Sequence, residues 1–344
     1  MREEFRYMAE LPGTPPEQAW VRERLETLSV REGVVLTAAA RRLPFESAAD
    51  AINCLQSLDK YEVWTNTGSY EALGSAFLRS KTRMPENAFP FVDLAMTGEY
   101  YEGKFPGLFI ENCYIEYPRQ APHLAYRSRD APLPEDNDWS VKLKLASPAA
   151  PEGVWLRLPG HDGKLIQESD EVVLALEALN ATSLEDCTLL EARCVLTEAG
   201  DLMRQYDSVT DLVRDGDHLG IALEEQGQGE RHWMEKFTAA LEYENCRTLK
   251  FALDISQNLH CYDWVPSSDL AESAVGLLLD AGMSEDLIYS CGIDLAGYKS
   301  WLLENEGYLL SANDSGYICR NDQEFCFQFS SPDSEQFGIT GPAM

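Results

Sequence analysis

Net charge is the first constraint on how this chain can fold. Its 344 residues carry 58 Asp and Glu against 28 Lys and Arg, a formal charge of −30 at pH 7. Self-repulsion on that scale weakens any compact state and exceeds what solubility requires. It excludes non-specific nucleic-acid binding, because phosphates are repelled, and it favours a basic partner. The charge is also uneven. Residues 1–165 hold 24 acids and 19 bases, whereas residues 166–230 hold 16 acids and only Arg193, Arg204 and Arg214. Residues 231–261 balance at four and four, and residues 262–344 set 14 acids against Lys299 and Arg320. A uniformly solvated surface does not produce that asymmetry.

The hydrophobic share of 44% supplies material for real cores, and the length predicts two or three domains. No run of about 18 apolar residues is present, so no membrane span is expected. The start, Met1-Arg-Glu-Glu-Phe-Arg, lacks the apolar stretch of a signal peptide, which predicts a cytoplasmic protein. The nine cysteines are odd in number, none pair as C-x-x-C, and most sit beside apolar residues. Free, buried thiols in a reducing compartment are expected.

Periodicity sets out the elements. Trp20, Leu25 and Leu28 mark a short helix after Pro16, which Val34 to Arg41 extends. Ala48 to Leu58 reads as a helix capped by Ser47, followed by a short strand at Tyr61 to Trp64. Tyr70 to Leu78 is helical, and Phe105 to Tyr117 forms a hairpin around Glu111-Asn112. Residues 118–138, with Pro118, Pro122, Pro132 and Pro134, read as a linker. Trp139, Val141, Leu143 and Leu145 then line one face of a strand, with Lys142 and Lys144 on the other. Val154 to Leu158, Glu171 to Leu179 and Thr188 to Leu196 complete a β-β-α-β segment, and residues 197–225 run helix, turn, helix.

Residues 232–320 echo the start. Phe251 to Leu259 leads into Tyr262-Asp-Trp-Val, as Ala51 to Leu58 leads into Tyr61-Glu-Val-Trp. Gly307-Tyr-Leu-Leu and Gly316-Tyr-Ile-Cys match the earlier hairpin, and a Ser/Pro/Gly-rich tail after Phe327 reads as frayed. The expected fold class is α+β: three small α+β domains, at 1–128, 129–228 and 229–344, the first and last related by an internal repeat. Tyr61, Trp64, Tyr262, Trp264, Tyr308 and Tyr317 recur at matching positions in strand-like segments and are expected in cores.

No catalytic constellation emerges, and no enzyme activity, metal or cofactor is expected. The chain lacks G-x-S-x-G, H-E-x-x-H, a Walker loop and a strand-borne G-x-G-x-x-G. His161-Asp162 sits in a turn beside Gly163, where neighbouring side chains diverge. His260 and Cys261 are adjacent in an extended segment and point apart. Cys319 and Cys326 with Asp322 and Glu324 lack zinc spacing.

Asp207, Asp211 and Asp215 recur every four residues, about 6 Å apart along a helix axis. A solvated helix face accounts for this row. So does a run of carboxylates at near-phosphate spacing, a decoy for a basic DNA-binding groove. Asp201, Asp217, Glu224 and Glu225 join the row, and Asp280, Glu285, Asp286, Asp294, Glu304 and Glu306 carry the charge onward.

Asp269-Leu-Ala-Glu-Ser-Ala-Val, Gly292-Ile-Asp-Leu-Ala-Gly-Tyr, Gly307-Tyr and Gly316-Tyr-Ile together are similar to the C-terminal part of ArdA-type antirestriction proteins. Ser69-Tyr-Glu-Ala-Leu-Gly looks like a second copy of the same helix, and the whole chain resembles longer ArdA-like proteins of Firmicutes mobile elements. The resemblance implies an elongated, dimeric, acidic mimic of duplex DNA that occupies the groove of a type I restriction–modification enzyme. An anti-CRISPR or other inhibitor of a defence nuclease is the alternative. Either partner is a DNA-binding protein; no direct nucleic-acid or membrane contact is expected. The chain departs from the family in its greater length and its nearly neutral first 165 residues.

Overall fold

The computed structural model describes residues 3–119, 126–127, 132–134, 139–160, 162–226, 231–290 and 292–330. The protein is mixed α+β and divides into two compact units, residues 1–192 with 208–213, and residues 193–207 with 214–344. Among the described residues, no helix is long and apolar enough to cross a membrane.

Three capped helices open the first unit: α1 (Pro15–Glu26), α2 (Val30–Arg42) and α3 (Ala48–Leu55). Each starts on a capping box, Thr14 with Glu17, Ser29 with Glu32, and Ser47 with Asp50. The cap hydroxyl accepts an N–H of the first turn, and the carboxylate three residues on accepts the cap's own N–H. The Ser29 cap therefore starts a separate helix where the sequence reading has one extending the other.

Strand β1 (Glu62–Thr65) leads into α4 (Tyr70–Lys81) and α5 (Leu94–Lys104). The expected hairpin follows as β2 (Gly107–Ile110) and β3 (Cys113–Glu116), turning through Glu111 at φ 52°. The sheet is antiparallel, with β3 central in the order β1-β3-β2. Helices α4 and α5 touch backbone to backbone: a Cβ at Gly74 would strike the main chain at Leu94, and one at Gly98 would strike Tyr70.

Strands β4 (Val141–Ser147) and β5 (Ala150–Leu158), helix α6 (Asp170–Leu179) and strand β6 (Thr188–Cys194) form the expected β-β-α-β segment, with sheet order β5-β4-β6. This segment shares one core with α1 to α3. Val35, Leu36, Ile52 and Ile115 cluster with Leu174 of α6, and Val154 of β5 packs on them. That shared core is why no division falls at 128/129. Most of the predicted linker lies outside the described residues, but Tyr126 within it is buried. Asn53 donates to the Tyr126 carbonyl and accepts from its N–H, at 2.8 and 2.9 Å. Lys142 also departs from the expected solvent face. It is buried, donates to Thr27 Oγ1 at 3.3 Å, and lies 4.1 Å from the Trp139 ring centroid. Strand alternation gave its face correctly, but the end of α1 covers that face.

The second unit holds α7 (Thr197–Met203), the part of α8 (Val209–Ile221) from residue 214 on, and a π turn at Ala222–Gln226. Helices α9 (Trp233–Tyr243) and α10 (Leu249–Gln257) follow. Then come β7 (Tyr262–Pro266), α11 (Leu270–Asp280), α12 (Glu285–Ser290), α13 (Leu295–Asn305), β8 (Leu309–Leu310) and β9 (Gly316–Arg320). This sheet is antiparallel in the order β7-β9-β8. Residues 331–344 of the expected frayed tail lie outside the described residues. Residues 328–330 do not fray. The N–H groups of Gln328, Phe329 and Ser330 all donate to the buried Asp254 carboxylate, as does the Ser330 hydroxyl. A buried carboxylate needs such donors, and the returning chain supplies them.

Of the six aromatic residues expected in cores, Tyr61, Trp64, Tyr262 and Tyr317 are buried, while Trp264 and Tyr308 are half-buried.

Candidate functional site

The acids singled out in the sequence occupy very different environments. Asp201 and Asp207 are exposed, and Asp201 lies 3.7 Å from Arg204. Asp211 and Glu224 are half-buried, and Glu225 is exposed. Asp215 and Asp217 are buried, so neither belongs to a solvent-facing row. Tyr206 Oη donates to Asp215 at 2.7 Å and Arg214 Nε at 3.0 Å, so this carboxylate ties down the turn that precedes it. The fourfold spacing identified a helix face without identifying which way it points. Leu212, Val213 and Leu219 of the same helix are buried as well.

The C-terminal acids are open to water. Asp280 ends α11, Glu285 and Asp286 begin α12, Asp294 caps α13, and Glu304 and Glu306 stand at its far end, all six exposed. Asp294 accepts from the Gly297 N–H at 3.0 Å, and Glu304 accepts from Tyr317 Oη at 3.4 Å. Neither α11 nor α13 has a base in its last turn. A carboxylate at a helix C-terminus faces the negative end of the helix dipole and costs a few tenths of a kcal/mol. Of the two bases beyond residue 261, Arg320 is committed to Glu244 at 3.0 Å. Leu277, Leu279, Leu287, Tyr289 and Trp301 lie exposed in the same three helices.

No family model, curated protein or solved structure matches the chain.

A second feature lies in the first unit. A cleft of about 650 Å³ opens between β1, the end of β5 and the start of α6. Beneath it runs a buried ionic chain. Glu32 accepts from Arg24 through both carboxylate oxygens and meets Arg157 at 2.8 Å. Burial works to raise the Glu32 carboxyl, but Arg157 and Arg24 overcome it and hold it below the usual carboxylate range. Glu171, in the first turn of α6, is buried beside it. Its Oε1 accepts from the Ser29 hydroxyl at 2.9 Å, while Oε2 has no hydrogen-bond partner among the described residues. Burial, helped by the nearby Glu32, pushes the Glu171 carboxyl up to about 7. Asp170 next to it is buried and satisfied, accepting from Lys164 Nζ at 2.8 Å and Thr65 Oγ1 at 3.0 Å.

Sequence reasoning did not find this cleft. Its residues come from α2, β1, α4, β5 and α6, and no local spacing links them. The residues weighed for chemistry stay apart. Cys261 is buried with its thiol on the Glu324 carbonyl, whereas His260 is exposed. His161 lies outside the described residues; Asp162 accepts from the Asp170 N–H at 2.7 Å. Among the described residues, no three His, Cys, Asp or Glu side chains are grouped to hold a metal.

Proposed function

We propose that this chain is an ArdA-type DNA mimic that inhibits a type I restriction–modification enzyme by filling its DNA-binding groove. One observation carries the reading. Asp280, Glu304 and Glu306 sit where they weaken their own helices, exposed and without an ion pair among the described residues, and Glu285, Asp286 and Asp294 accompany them. Local rules broken without local compensation mark surfaces kept for a partner. A basic groove is the partner such a surface suits, with fast and salt-sensitive association.

The same proposal covers the domain plan. Residues 53–117 and 254–320 are two copies of one α+β module. The pairing registers support this: Glu62 faces Glu116 and Trp64 faces Tyr114, as Asp263 faces Cys319 and Val265 faces Tyr317. The two sheets also share one strand order. A protein of this kind works in the cytoplasm, where its target meets DNA, and is expected to act as a homodimer.

The test is pooled amide replacement of Asp280, Glu285, Asp286, Asp294, Glu304 and Glu306. Asn at 294 keeps a helix cap. The variant is expected to keep its far-UV circular dichroism and to lose inhibition of DNA cleavage by type I enzymes. Full inhibition by the folded variant overturns the reading. Wild-type protein that spares type I enzymes but blocks an RNA-guided nuclease moves the target to that class.

A further inference from the structure

The cleft of the first unit has no part in that reading. Its floor is a set of charges with one gap. Around Glu171, α2 brings Arg31 and Glu32, β5 brings Arg157, and its own helix brings Asp170. Glu32 is answered by Arg24 and Arg157, and Asp170 by Lys164 and Thr65. Arg31 is half-buried and gives one N–H to the Tyr61 carbonyl at 2.9 Å. What remains is the unpartnered Oε2 of a carboxyl group that is more than nine-tenths buried.

The sign of the missing ligand follows from the charges. Asp59, Glu62 and Asp162 also line the cleft, where six bases face six acids, so its net charge turns on the Glu171 proton. With a proton on Glu171, those six bases face five acids, and Glu171 offers an O–H donor in a cleft that Arg31 also lines. Burial keeps that proton available near neutral pH. Converging charge-assisted donors suit an oxyanion. The exposed Lys60 lines the way in beside Arg79 and Lys81, which pair with Glu86 and Glu62, and a cleft of about 650 Å³ is large enough for a mononucleotide-sized molecule.

The geometry points to the floor of this cleft as a binding site for a small phosphate-type oxyanion, held by the Arg31 guanidinium and by the Glu171 carboxyl, which binds as the acid.

Calorimetric titration of the full chain tests this, using sulfate as an oxyanion that does not itself titrate near neutrality, alongside inorganic phosphate and AMP. Saturable binding of sulfate is expected at pH 6, weakening about tenfold by pH 8 as Glu171 loses its proton. Glu171→Gln keeps an N–H donor at every pH, so it retains binding and loses the pH dependence. Arg31→Met, checked for unchanged circular dichroism, binds at least about tenfold more weakly. AMP binding more tightly than sulfate assigns the site to an organic phosphate, and equal affinities assign it to the free ion. The proposal is overturned if none of the three binds at pH 6 with a Kd below about 10 mM. It is equally overturned if Arg31→Met binds like wild type, or if Glu171→Gln keeps the fall between pH 6 and 8.

Discussion

Asn53 of α3 and Asp254 of α10 each hold a chain segment that returns after a hairpin, β2–β3 for the first and β8–β9 for the second. Asn53 brackets the main chain of Tyr126 with a donor and an acceptor. Asp254 accepts the three successive N–H groups of residues 328–330. A side chain fixed on a helix thereby does for a stray segment what a neighbouring strand does in a sheet.

Asp254→Ala removes a buried carboxylate that accepts three N–H groups of the half-covered segment 328–330. It is expected to destabilise the second unit by about 2–3 kcal/mol and to speed amide exchange at residues 328–330 many-fold. Asp254→Asn keeps one acceptor oxygen and should fall between the two. Exchange at these amides as slow in Asp254→Ala as in wild type would show that the tether contributes nothing.

Glu171 makes stability depend on pH in a direction opposite to a salt-bridged acid. Its carboxyl is raised from an ordinary 4.5 to about 7 in the folded protein. Between those values the folded state binds more protons than the unfolded one, so stability falls as pH rises from about 4.5 to 7 and then levels off. Glu171→Gln removes the ionisation. The variant is expected to gain roughly 2–3 kcal/mol over wild type at pH 8 and almost nothing at pH 4. Denaturant melts at the two pH values, in phosphate- and sulfate-free buffer, check the difference.

Gly98→Ala is expected to cost more than a helix glycine normally does. Alanine improves helix propensity by about 1 kcal/mol, but here the added methyl meets the Tyr70 main chain, which cannot step aside. The net change should be a loss of about 2 kcal/mol or more, read as a lower Tm. Gly103 in the same helix has nothing within 4 Å of where a Cβ would sit, so Gly103→Ala should not lower Tm.

Much of the fold was legible because it is locally encoded. The hairpin at Glu111-Asn112, the Ser47 cap and the alternation in β4 each depend on a handful of consecutive residues. Lys142 and Asp215 show where that legibility stops. Strand and helix periods assign a side chain to a face, but what covers the face comes from residues far away in sequence, such as Thr27 over Lys142. The cleft was hidden for the same reason. Arg31, Arg157 and Glu171 have unremarkable neighbours in sequence, and only the packing of α6 onto α2 brings them together. The C-terminal acids stood out in the sequence only as a continuation of the charge, and the structure places them at helix ends.

Leu277, Leu279, Leu287, Tyr289 and Trp301 are open to water on the same helices as those acids. Such greasy side chains would ordinarily draw identical molecules together. Here every approach also brings like-signed groups within reach, over a distance that shrinks as electrolyte is added. The carboxylates are thus expected to act as a dispersant for the surface they occupy, so clumping of the molecule should increase with ionic strength.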